Sequence, residues 1–138
     1  MSTILVNTLT GTSTAGSIAV TGEGTSTTTN LQQGLAKVWV TKAADGASMP
    51  DSFNVSSLDD DGTGDFGVNF SSAMNNSSYA ITTGADDAAS DTAVTACNSA
   101  NGGYATGSAE FEVVYINATS ARTNHDIYCF VAFHGDLA

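Results

Sequence analysis

Residues 31–70, LQQGLAKVWVTKAADGASMPDSFNVSSLDDDGTGDFGVNF, decide the fold. In Leu35–Thr41, Val38 and Val40 fall on one side of an extended chain and Trp39 on the other. Ala43–Pro50 holds the only proline and reads as a turn-rich connection. Ser52–Leu58 reads as a second strand, with Phe53 and Val55 on one side, and Asp59–Gly64 (DDDGTG) as a tight connection. Asp65–Ser71 reads as a third strand, in which Phe66, Val68 and Phe70 alternate with Gly67 and Asn69. Period-two alternation around a DG-containing turn is a strong hairpin signal.

The same patterns continue outward from this stretch. Tyr79–Thr82 reads as a short strand, Thr83–Ser90 as an acidic loop, Thr92–Cys97 as a strand and Asn98–Tyr104 as a loop. Ser108–Asn117 sets Phe111, Val113 and Tyr115 against Glu110, Glu112 and Val114. Asp126–His134 is apolar on both faces, which places it centrally in a sheet or against a neighbouring subunit. Seven or eight short strands separated by turn signals predict an all-β fold, an antiparallel β-sandwich of jelly-roll-like kind. No helical periodicity extends beyond one turn.

Residues 1–33 differ in composition. They are mostly Thr, Ser and Gly, with Ile4, Leu5, Val6, Leu9, Ile18 and Val20 as apolar anchors. A solvated tail has no use for such anchors. An extended arm for attachment, or for intertwining with other copies, is therefore expected over 1–33, with the β-sandwich domain over 34–138.

The chain has 138 residues, enough for one domain with an appended arm. Fourteen carboxylates face three basic residues, for a net charge of −11. Such a surface repels phosphate, which argues against nucleic-acid binding and against anionic membranes. No stretch has the length and apolarity of a membrane span. The opening MSTILVNTLT lacks the basic region and apolar run of a secretory signal, so assembly in a host cytoplasm is expected. Cys97 and Cys129 read as small buried apolar side chains. A bond between them would need adjacent antiparallel strands with suitable spacing.

The residues with chemical potential are few. Asp59, Asp61 and Asp65 surround Gly62 and are the candidate metal ligands. In the register of a helix-loop-helix calcium loop, Ser57 would stand first and Val68 last, where a bidentate Glu is required. That match fails, and a solvated hairpin tip is the expectation, with no metal or other cofactor. Asp86, Asp87 and Asp91 form a second acidic cluster. His125, Asp126 and His134 have no serine or cysteine nucleophile in a suitable setting, so no catalytic residue is assigned. Glu110 and Glu112 share a strand face and are expected to point to solvent from a twisted edge. Trp39, Tyr128 and Phe130 are the candidate subunit contacts. Asp86, Asp87, Asn98, Asn101 and Tyr104 are the candidate receptor contacts, because recognition usually sits on loops held by a rigid scaffold.

Several phrases of the central stretch occur together. Gly34-Leu35-Ala36-Lys37 leads into Val38-Trp39-Val40. Asp51-Ser52-Phe53-Asn54-Val55-Ser56-Ser57 follows a short loop. Gly62-Thr63-Gly64-Asp65-Phe66 runs into Val68-Asn69-Phe70, and Ala73-Met74 precedes Tyr79-Ala80. Over roughly residues 30–82 this resembles the fibre-type virion proteins of tailed, often marine, bacteriophages, in particular the distal knob of tail fibres. The resemblance implies a β-rich knob, homotrimeric assembly, other virion proteins as partners, and host recognition, with host surface polysaccharide as a possible ligand. A short chain with a Thr/Gly arm also fits capsid decoration, as a cement protein. A small glycan depolymerase is the enzymatic alternative and would require an acidic groove.

Overall fold

The computed structural model describes residues 3–12, 18–21, 28–86, 94–98, 103–116 and 122–138. The chain divides into two compact units, Met1–Leu35 and Ala36–Ala138. In the first unit, residues 3–12 have no regular structure, and Ile4, Leu5, Val6 and Leu9 are exposed. Strand β1 (Ala19–Thr21) pairs antiparallel with β2 (Thr28–Asn30), and a helical turn, α1 (Leu31–Gly34), follows directly. The Leu31 amide donates to the Ile18 carbonyl at 2.8 Å and ties the turn to the start of the hairpin.

The second unit contains β3 (Ala36–Lys42), β4 (Asp51–Phe53), β5 (Val55–Gly62), β6 (Asp65–Phe70), β7 (Ala80–Ala85), β8 (Val94–Asn98), β9 (Ser108–Ile116), β10 (Arg122–Asn124) and β11 (Cys129–His134). One antiparallel sheet has the order β4-β3-β11-β7. The other runs β5-β6-β9, with β8 and β10 also paired to β9. Phe111 and Glu112 pair with both β6 and β8, while Val114 and Tyr115 pair with both β8 and β10. β6 and β10 therefore lie end to end along one side of β9, and β8 covers the other. The all-β sandwich expected from the sequence is the fold observed.

The two sheets meet through alternating side chains, as strand geometry requires. Val38, Val40, Cys129, Val131 and Phe133 come from one sheet. Phe66, Val68, Phe70, Ala109, Phe111 and Val113 come from the other, and together they form a single buried cluster. Aromatic rings span the gap. Phe133 lies edge-on to Phe70 at 5.0 Å, Tyr79 at 5.7 Å and Phe111 at 5.8 Å, and Phe111 stacks on Phe66 at 5.5 Å. β11 lies between β3 and β7, the central place its two-sided apolar pattern demands.

Lys42 is also buried. Its Nζ donates to the Ala43 carbonyl at 3.2 Å and sits 5.2 Å from the centre of the Phe66 ring, so a ring face takes part of the role of solvent. Cys129 is opposite Lys42 in the β3–β11 ladder and is a free thiol. Cys97 lies on β8 in the other sheet, so the two cysteines do not share adjacent strands.

Several boundaries differ from the sequence expectation, each for a local reason. Ser52–Leu58 is two strands in two sheets. Asn54 adopts a left-handed φ of 59°, and the chain turns there from β4 into β5. Asn is among the few residues other than glycine that accept this conformation. Its side chain fastens the corner: Nδ2 donates to the carbonyls of Lys37 and Ser72, both at 3.1 Å, and Oδ1 accepts from the Ser72 amide at 2.7 Å. As a result Phe53 and Val55 are not on one side. Phe53 faces outward on the first sheet, while Val55 packs against the core.

The acidic DDD run is not a turn. β5 continues through it to Gly62, and the reversal is made at Thr63 and Gly64. Gly64 has φ +66°, and a Cβ there would stand 2.5 Å from the His125 amide and 2.6 Å from the Val113 carbonyl, where β6 and β10 abut. β7 extends to Ala85 and takes in part of the expected acidic loop, and the final strand begins at Cys129 rather than Asp126. β9 is an interior strand, so Glu110 and Glu112 do not stand on an edge.

Two outcomes follow from this core and corner. Asn54→Ala loses both the tolerated conformation and the corner hydrogen bonds, and should destabilise by about 3 kcal/mol. Asn54→Gly keeps the conformation and should lose about 2 kcal/mol, so the order of the two midpoints in urea is the check. Burial pushes the Cys129 thiol from 9.0 up to about 11, opposed by the nearby Lys42 ammonium. Burial likewise raises the Tyr79 hydroxyl from 10.0 to about 12. Both groups release protons from the unfolded chain first, so stability is expected to fall as pH rises from about 9 to about 11, read from urea midpoints across that interval.

Candidate subunit-contact surface

The outer face of the β4-β3-β11-β7 sheet follows from its register. Trp39 lies opposite Phe53 on one side and Ala132 on the other, and Ala132 lies opposite Thr82. One row across the four strands is therefore Phe53, Trp39, Ala132, Thr82. The next row is Asp51, Thr41, Phe130, Gly84. Along β3 and β11 a large side chain is followed by a smaller one on this face (Trp39 then Thr41, Phe130 then Ala132), and Trp39, Ala132, Phe130, Gly84 and Thr82 line an open groove of about 400 Å³. None of the described side chains that line it is ionisable; Asp51 stands at the rim.

Of the expected subunit contacts, Trp39 and Phe130 lie on this face. Phe130 is 48% exposed, Tyr128 40% and Phe53 53%. Tyr128 precedes β11, and its carbonyl accepts from the Asp86 amide at 2.9 Å. Phe53 was missed because it was assigned to the Val55 side. The signal that identifies it is the Asn that follows, which permits a reversal of side-chain direction.

The opposite sheet presents the acids. Asp59 lies opposite Gly67, and Gly67 opposite Glu110, so the glycine separates two carboxylates on neighbouring strands. A Cβ on Gly67 would come within 3.0 Å of both Glu110 carboxylate oxygens, so Glu110 lies directly over it. Desolvation, with Asp61, Asp59 and Asp65 nearby and a hydrogen bond to Asp61, raises the Glu110 pKa above the usual carboxylate value. Asn69 donates to Asp59 at 2.7 Å, and Arg122 forms an ion pair with Glu112. Asp59, Asp61 and Asp65 thus belong to one acidic face. Among the described residues no three acidic, His or Cys side chains are arranged to hold a metal ion.

The receptor candidates are dispersed. The Tyr104 ring packs at a tilt against Tyr79, 5.8 Å between centroids, next to the start of β7, whereas Asp86 is exposed just beyond its end. The length of β7 separates them by on the order of 20 Å. Asn98 closes β8, and Asp87, Asp91 and Asn101 lie outside the described residues. Asp126 has a structural partner: its Oδ1 accepts from the Gly64 amide at 2.7 Å.

No protein-family model, curated protein or solved structure matches this chain.

The acidic face gives a further expected outcome. A raised carboxylate pKa weakens the fold above that pKa and the effect is relieved as pH falls. Glu110→Gln removes the charge and keeps the shape. It should raise the melting temperature at neutral pH, and the gain should vanish near pH 4, where Glu110 is itself protonated. Thermal unfolding of both chains at the two pH values measures this.

Proposed function

We propose that this chain is a non-enzymatic structural protein of a virion surface, of the bacteriophage fibre type, assembling as a homotrimer through the outer face of its β4-β3-β11-β7 sheet. One observation carries the reading. Trp39, Phe53 and Phe130 gather on a face whose groove has no ionisable side chain among its described lining residues, in a chain of net charge −11. Contiguous exposed apolar surface of this kind marks an interaction site. Copies that repel each other elsewhere can approach there. The resemblance of residues 30–82 to phage fibre knobs supports the trimer and the virion setting. A rigid sandwich that carries exposed loops suits the display of receptor contacts.

Light scattering at micromolar concentration should give the mass of three chains. Phe130→Asp places a carboxylate in the groove and should give the mass of a single chain with an unchanged β-type circular dichroism spectrum. A monomeric parent chain would overturn the proposal. Fibre and capsid mounting are separated by binding: retention on host cells or their polysaccharide supports the fibre, and saturable binding of many copies to bare capsids supports decoration.

A further inference from the structure

We infer that residues 3–9 of one copy lie extended in the groove beside Trp39 and Phe130 of a second copy. The inference rests on the proposal that copies associate through this sheet, and it names what occupies the face.

Among the described residues, the exposed large apolar side chains include two sets. One is the sheet face. The other is in the first unit, where Ile4 is 84% exposed, Leu5 90%, Val6 61% and Leu9 61%. Each set lacks what the other offers: a concave surface on one side and projecting aliphatic side chains on the other.

Charge selects the pairing. The first acidic residue is Glu23, and residues 1–22 contain no Asp, Glu, Lys, Arg or His. The groove lining has none either. Face-to-face packing of two sheets would bring two Asp51 rims together in copies that already carry −11 each. An incoming arm brings no charge at all. A foreign acidic or basic segment would find no counter-charge in the groove.

Geometry is compatible. In an extended chain Ile4 and Val6 project on one side, roughly 7 Å apart. The same repeat separates Ala132 and Phe130 on β11. The small residues Ala132 and Gly84 leave room for aliphatic side chains between Trp39, Thr82 and Phe130. Seven extended residues reach about 23 Å, enough to run the length of the six-residue β11.

The test uses the full chain with a benzophenone amino acid at Phe130, and separately at Thr82, irradiated in an equal mixture of 15N-labelled and unlabelled protein. The expected crosslinks join these positions to the peptide spanning residues 3–12, in mixed-isotope pairs. The double change Ile4→Asp, Val6→Asp is expected to weaken association on the order of tenfold or more. Crosslinks from sheet face to sheet face, with association unaffected by the arm changes, would overturn the inference and leave the trimer standing. Crosslinks only within single chains from a trimer would likewise overturn it. A parent chain that is a monomer would remove both this inference and the proposal beneath it.

Discussion

Phe133 reaches from the centre of one sheet toward the other, and its edge-on contacts with Phe70 and Phe111 bridge the space between them. The Val and Ala residues of the core are too small to close a gap of about 10 Å between facing sheets alone. The aromatic series continues through Phe111 to Phe66, where the ring face receives the Lys42 ammonium. At the other end Tyr79 joins the series and anchors its hydroxyl to the carbonyls of Ala105 and Ser108. A chain so rich in Thr, Ser and Gly has little other apolar volume, so its sandwich depends on these rings being aligned.

The two outer faces are chemically opposite. One carries Asp59, Asp61, Asp65, Glu110 and Glu112, with Gly67 leaving space for Glu110 to lie across the sheet. The other carries aromatic rings and small residues around an uncharged groove. An acidic face stays hydrated and discourages contact. The neutral face is the one where removing water is least unfavourable.

Much of this was legible in the sequence. The alternation of Phe66, Val68 and Phe70 and the two-sided apolarity of β11 gave the correct inward faces, because period two is a direct consequence of strand geometry. Trp39 was correctly placed on the face opposite Val38 and Val40. What escaped was decided by single backbone conformations and by long-range pairing. One left-handed residue, Asn54, turned one apparent strand into two and moved Phe53 to the outer face. The DDD run reads as a turn by composition, yet it forms ladder because β6 fixes its partner. β10 is three residues of Arg, Thr and Asn, with no apolar pattern, and exists only because β9 extends beyond the end of β6. Glu110 was assigned to an edge because the strands on either side of it come from distant parts of the chain.

The pairing of Ala36 with His134 has a mechanical consequence. The start of β3 and the end of β11 sit side by side, and the last residue, Ala138, is fastened nearby through its amide to the Ala73 carbonyl. Tension applied between the two ends of this unit would open the β3–β11 ladder one rung at a time, the weak direction for a hydrogen-bonded ribbon. The same ladder loaded along its length would have to break many rungs together. A protein of this topology resists force best when the load enters through its broad face and not through its ends.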